Sequence, residues 1–194
     1  MKVQASSGFL APSGITSDHE SAALEEGREK LRRGIFLMLR EGSSARNALD
    51  LLPLVNDTTW PRCCFASDDR DCAMLLSDGH MNATLRKVVA AGLDPIRAIQ
   101  MCTITTATYW RLDRIGAIAP GYWANLVILN DLTDFGIDRV YYRGNVVAEQ
   151  GTARFEVETS IPDELRNTVH LPHMTVDDLR LPASSGTQAV GAID

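Results

Sequence analysis

An α/β fold is predicted, with a parallel sheet first and a small β layer after it, and three observations predict it. Short apolar runs alternate with helix-forming stretches through the first part of the chain, and each run ends in polar residues. One run, Ile35-Phe36-Leu37-Met38-Leu39, is continuously apolar, the pattern of a parallel strand buried on both faces. After Trp110 the pattern changes to turn chemistry and short strands. The 194 residues suffice for a sizeable core, but a complete eight-fold β/α barrel takes about 250 residues. Only part of one would fit.

Taken in order, Ile15-Thr16-Ser17-Asp18-His19-Glu20 reads as a strand end feeding a helix over 21–33, which Gly34 stops. The 35–39 strand then runs into Arg40-Glu41-Gly42-Ser43. Leu49, Leu52 and Val55 at helical spacing predict a helix over 44–55, with Pro53 expected to end it early. Cys63-Cys64-Phe65-Ala66 is the next strand, closed by Ser67-Asp68-Asp69-Arg70. A helix over 81–91 carries Leu85, Val88 and Val89, and Asp94-Pro95 predicts an N-cap with proline at the first helical position. That second helix should bury Ile96, Ile99 and Met101. Leu126–Leu129 is strand-like, and Val140-Tyr141-Tyr142, Arg143-Gly144-Asn145 and Val146-Val147 read as a hairpin. From about Gly151, with Pro162, Pro172, Pro182 and Ser184-Ser185-Gly186-Thr187, the tail is expected to be extended and partly disordered. The expected domains are 1–112, 113–160 and 161–194.

Composition excludes several classes of function. The 19 basic and 25 acidic side chains give a net charge of −6, which argues against nucleic acid as a partner. No apolar run approaches the roughly 18–20 residues that span a bilayer, and Met1–Ser7 has no long apolar segment behind a basic start. A soluble, unexported, cytoplasmic protein without a membrane partner is therefore expected. Cys63, Cys64, Cys72 and Cys102 lack paired CxxC spacing and read as reduced thiols, the vicinal pair as core packing.

In a parallel sheet all strand carboxyl ends lie on one rim, so His19, Glu41, Asp68 and Asp69 are expected neighbours there. An imidazole and a carboxylate are both good ligands for a divalent transition metal. Such a metal lowers the pKa of a bound water, and a carboxylate beside it can take and return the proton. Asp68 could do both. Structural readings also fit. Ser17 and Glu20 have capping-box spacing; Asp68-Asp69 could cap the next helix or pair with Arg70; Arg40-Glu41 could be a surface ion pair. His80 in Asp78-Gly79-His80 fits a turn or a helix start. Pro172 between His170 and His173 forbids a helical ligand pair, and Tyr109, Trp110 and Trp123 are too scattered for a base-stacking platform.

Several separated segments resemble the adenine deaminases of the metal-dependent amidohydrolase superfamily. Gly14–Ser21 is similar to that family's strand six, Leu37–Asn47 to strand seven and its turn, and Phe65–Arg70 to the end of strand eight. Asp78–Asn82, Gly116–Tyr122 and Asn167–Pro172 resemble later segments, so the likeness covers about residues 8 to 182. The resemblance implies the carboxyl-terminal part of a TIM-like β/α barrel, strands six to eight, followed by a small β domain. It implies one or two divalent metals (manganese, iron or zinc) and the conversion of adenine to hypoxanthine with release of ammonia. His19 and Asp68 would be metal ligands, and Asp68 would also shuttle the proton as a metal-activated hydroxide attacks the purine carbon bearing the amino group. Glu41 and Asp69 are lesser catalytic candidates; His80 and Arg40 are candidates for binding the purine base.

Departures accompany the match. The family's strand-one His-x-His, strand-four carboxylate and strand-five His have no counterpart here, and Ala5–Pro12 differs from the strand-five surroundings. Trp123-Ala124-Asn125 replaces the more usual Arg-Ala-Asp. One reading is therefore a carboxyl-terminal portion that needs a complementing N-terminal half, or a homo-oligomer, because an open half-barrel exposes strand edges and apolar helix faces. The others are a non-catalytic binding or assembly module and an amidohydrolase for another cyclic amide or imide.

Overall fold

The computed structural model describes residues 13–157, 160–166 and 168–180. The departures at Ala5–Pro12, and Pro182 with Ser184–Thr187, lie outside them. Contacts divide the chain into two units, Met1–Phe155 and Glu156–Asp194.

In the first unit a three-stranded parallel sheet has the order β1-β2-β3: β1 is Ser17–Asp18, β2 Phe36–Arg40 and β3 Cys63–Ala66. Strand β2 lies in the middle and is buried on both faces, as its unbroken apolar run requires. Leu37, Leu39, Cys63 and Phe65 face a core shared with Leu51, Val88 and Met101. Phe36, Met38 and Cys64 form the opposite face, where Tyr109 stacks on Phe36 with ring centroids 4.1 Å apart.

Helix α1, Leu24–Arg32, returns the chain from β1 to β2. Glu25 and Glu26 in its first turn and Lys30 and Arg32 in its last oppose the helix dipole. Its end is set by Gly34, whose φ of +81° lets the amides of Gly34 and Ile35 close back on the carbonyls of Leu31 and Lys30, each at 3.0 Å. The Ser17/Glu20 capping box does not form, because Ser17 is committed to the sheet. Asp18 instead accepts from the Ser21 amide and hydroxyl at 3.0 and 2.6 Å, and the helix starts three residues later.

The 44–55 helix is shorter than its periodicity suggests: α2 spans Ala48–Leu51 and passes into a 3-10 turn at Leu52–Leu54, where proline is tolerated. Two helices carry no clear apolar period and were not legible: α3, Cys72–Ser77, and α6, Ile104–Tyr109. Helix α4 spans Met81–Ala90 and α5 Pro95–Cys102, the latter capped by Asp94, whose carboxylate accepts from the Arg97 amide at 2.8 Å. Helix α5 buries Ala98 and Met101, but Ile96 is exposed on the opposite side of the first turn.

A second sheet is antiparallel, in the order β4-β5-β6-β7: Leu126–Leu129, Ile137–Tyr142, Asn145–Glu149 and Thr152–Ala153. Arg143 and Gly144 both have positive φ, the conformation of a two-residue hairpin turn that matches strand twist. In the second unit the described residues form 3-10 turns at Asp163–Leu165 and Val176–Leu179. Among the described residues no helix is long and apolar enough to cross a membrane.

Candidate metal centre

The three parallel strands end on one rim, and each delivers a polar group there. His19 and Glu20 follow β1, Arg40 closes β2, and Asp68 follows β3. Donor atoms of His19, Glu20 and Asp68 all lie within 4.8 Å of one another. His19 Nε2 is 3.1 Å from Glu20 Oε1. Asp68 has a φ of +46°, a left-handed conformation uncommon for a residue with a Cβ and frequent at functional turns. Arg40 Nη1 bridges the two carboxylates, 3.0 Å from Glu20 Oε1 and 2.9 Å from Asp68 Oδ2.

Asn47 holds this rim together. It is buried, its Nδ2 donates to the carbonyls of His19 and Ser21 at 3.1 and 2.8 Å, and its Oδ1 accepts from the Arg40 amide at 2.6 Å. One side chain thereby ties the end of β1 to the end of β2. Behind β1, Lys30 Nζ reaches Asp18 Oδ1 at 3.0 Å, Glu26 Oε1 at 2.8 Å and Ser21 Oγ at 3.0 Å. Burial works to raise the Asp18 carboxyl, but hydrogen bonds from Ser21 and Lys30 outweigh it and hold the group below its usual range.

The remaining sequence candidates are placed elsewhere on the rim. Asp69 points to the loop after β2: its carboxylate accepts from the amides of Ser43 and Ser44 at 2.9 and 3.2 Å and from the Ser44 hydroxyl. Those bonds, the Ser44 hydroxyl first, lower its pKa. Gly42 makes room for it, since a Cβ there would stand 1.9 Å from Asp69 Oδ1. Glu41 is buried on the opposite face from Arg40, because successive strand residues alternate, and it pairs with Lys87 of α4 at 2.7 Å. The Arg40-Glu41 surface pair is thus not formed. His80 is exposed at the N-cap position of α4.

The cation beside Asp68 is Arg40, not Arg70, whose Nε donates to the Gly79 carbonyl at 2.9 Å while its Nη2 faces Asp78 at 3.6 Å. The cap of α3 is Asp71, not Asp68 or Asp69; it accepts from the Met74 amide at 2.8 Å. Glu20, read from the sequence only as a capping-box partner, and Asn47 are the site residues that the sequence did not assign. Glu20 had a usable signal in its adjacency to His19; a buried asparagine has none until its partners are known. The cysteines are free thiols, and burial pushes Cys63 up to about 12 and Cys64 to about 11. Trp123 lies under Arg114 and Arg143, at 4.7 and 4.6 Å from its ring centroid.

One imidazole and two carboxylates, presented by the ends of β1 and β3 on either side of β2 on a solvent-facing rim, form an N/O donor set of the kind that suits manganese, iron or zinc. The residues fit a divalent cation. They equally sustain a metal-independent ion network, since Arg40 already bridges both acids.

Residues 9–147 match the amidohydrolase family. The chain is 48% identical over 172 residues to an adenine deaminase of Dehalococcoides mccartyi strain ATCC BAA-2266, covering 89% of this chain and 30% of that protein. It is 40% identical over 177 residues to an adenine deaminase of Syntrophobacter fumaroxidans, with 89% and 30% covered. The chain therefore spans about a third of the length of these relatives. A crystal structure of β-aspartyl dipeptidase from Fervidobacterium islandicum AW-1 superposes with a TM-score of 0.56 at 18% identity, over 73% of this chain and 41% of that one. At that identity the likeness concerns the fold.

Proposed function

The chain belongs to the amidohydrolase family, and from that premise we propose that it is the carboxyl-terminal portion of a metal-dependent adenine deaminase, active once the remaining portion is supplied. The overall reaction takes adenine and water to hypoxanthine and ammonia. The convergence of His19, Glu20 and Asp68 within 4.8 Å on one sheet rim carries the reading. The 48% identity to an adenine deaminase supports the choice of substrate. In this reading residues 1–112 supply the last strands of a β/α barrel and 113–160 a small β domain.

His19 and Asp68 would hold the cation, with further ligands from the complementing portion. When bound, such a cation lowers the pKa of water toward neutrality. Asp68 takes the proton of the attacking water and returns it to the departing amino nitrogen, so that one water enters and one ammonia leaves. Before a cation binds, Arg40, bonded to Asp68 at 2.9 Å, keeps that carboxylate on the rim. Asn47 does the same for the backbone of His19.

The test mixes the full chain with the missing portion of a related adenine deaminase and measures bound metal and ammonia released from adenine. Both should rise on mixing, and Asp68→Asn should lower the rate by about 100-fold or more, the range for a general acid–base group, while Asp69→Asn lowers it far less. The reverse order would make Asp69 the working carboxylate. The Arg40 ion pairs favour a second reading, a non-catalytic binding or assembly module, and metal binding without turnover in every mixture selects it. Turnover of a cyclic amide in place of adenine would replace the substrate.

A further inference from the structure

One nitrogen of Arg40 already occupies the electrostatic centre of the acidic rim. Nη1 donates to Glu20 Oε1 at 3.0 Å and to Asp68 Oδ2 at 2.9 Å. These two carboxylates come from different strand ends and are two of the three groups whose donor atoms lie within 4.8 Å of one another. The Arg40 side chain is 12% exposed, so its charge is only weakly screened by water.

The arrangement also lacks the features of a permanent arginine clamp. A clamp of that kind presents two parallel N–H groups to one carboxylate. Here both acids share Nη1, and the buried Nε has no hydrogen-bond partner. The guanidinium is held by charge, with part of its donor set unused.

We propose that Arg40 is the resident counter-cation of the His19, Glu20 and Asp68 cluster, and that a divalent metal loads there by displacing its guanidinium from Asp68. This rests on the reading of His19 and Asp68 as metal ligands. The physical reason is competition. The guanidinium and the metal seek the same carboxylates, and two cations at that separation repel, so each weakens the other's hold. By linkage the weakening is reciprocal: metal loosens the Arg40 contact by the factor with which Arg40 weakens metal binding. Arg40 thereby keeps the acids together before loading and raises the metal concentration at which loading occurs.

The experiment titrates Mn²⁺ and, separately, Zn²⁺ into the full metal-free chain by calorimetry, comparing wild type with Arg40→Met, Arg40→Lys and Asp68→Asn. Arg40→Met should bind at least tenfold more tightly than wild type, Arg40→Lys should stay near wild type because it keeps the charge, and Asp68→Asn should lose the binding. Equal or weaker binding by Arg40→Met, with binding still dependent on Asp68, overturns the proposal and leaves the ligand reading intact. Absence of Asp68-dependent binding in every chain, both alone and mixed with the missing portion of a related adenine deaminase, overturns both. Should Arg40→Met fail to fold, the wild-type chain decides: saturating Zn²⁺ must shift the Arg40 Nε–H NMR resonance, and an unmoved resonance beside Asp68-dependent binding sinks the proposal.

Discussion

Replacing Lys30 by Met tests the network that anchors β1, and with it the backbone that presents His19. The Lys30 ammonium is 4% exposed and uses its donors on Asp18, Glu26 and Ser21 at 2.8–3.0 Å. Methionine keeps most of the stem and its packing, so the change removes charge with little change of volume. Asp18, itself 11% exposed, then keeps only its bonds to Ser21. Breaking a buried pair from one side costs about 3–5 kcal/mol, because the remaining charge is left uncompensated. We expect a loss of about 3 kcal/mol, at the lower end of that range, since the Ser21 amide and hydroxyl still serve Asp18. Urea denaturation at neutral pH measures it, with Asp18→Asn and the double variant completing a cycle whose coupling should be about 1–3 kcal/mol.

The pH dependence has a definite sign. Asp18 is depressed below 3.8, so its contribution is present above 3.8 and lost as pH falls through the folded value. Lys30 is raised above 10.5: burial opposes its charge, but bonds to Glu26 and Asp18 outweigh that. Its contribution is complete below 10.5 and lost as pH rises beyond the folded value. The gap between wild type and Lys30→Met should therefore be flat between those limits and narrow outside them. A loss under about 1 kcal/mol at pH 7, the worth of an exposed ion pair, would show that the network is solvated and the reasoning wrong.

Asn47→Leu strands the Arg40 amide and the carbonyls of His19 and Ser21, so it should cost about 3 kcal/mol in chemical denaturation, and Mn²⁺ affinity should fall with it. A stable variant with unchanged metal affinity would remove Asn47 from the site. Gly34→Ala places a Cβ at a φ of +81° and should destabilise by about 1–2 kcal/mol through backbone strain alone, since the nearest atom is 4.0 Å away; a neutral result by thermal melting would refute the Schellman ending of α1. At pH 8 the exposed Cys72 should react with a disulfide reagent within minutes, whereas Cys63 and Cys64, raised to about 12 and 11, should stay inert until the chain unfolds. Fast labelling of Cys63 or Cys64 in the folded chain would contradict their burial.

Strands β2 and β3 were legible because the signal for a doubly buried strand is local: Phe36–Leu39 and Cys63–Phe65 are continuous apolar runs that lead into polar residues. The Asp94-Pro95 cap and the Arg143-Gly144 turn were legible for the same reason, since their backbone needs are met by adjacent residues. Helix α6 was not. Thr105, Thr106 and Thr108 are weak helix formers, and the segment is helical because Thr105 and Ala107 are buried and Tyr109 stacks on Phe36. Ile96 was misplaced because apolarity does not say which side of a short helix meets the core.

At the rim the division is sharper. The amino-acid order alone determined that His19, Arg40, Glu41, Asp68 and Asp69 all follow or close strands, because alternation of short apolar runs with helical stretches leaves few topologies other than a parallel sheet. Only the tertiary structure decided which of them meet. Side chains at successive strand positions point to opposite faces, so Arg40 turns to Asp68 while Glu41 turns away to Lys87. The left-handed turn at residue 68 sends one of two adjacent aspartates into the cluster and leaves its neighbour to the 43–44 loop. Such choices depend on partners 20 to 50 residues away in the chain, and no local pattern encodes them.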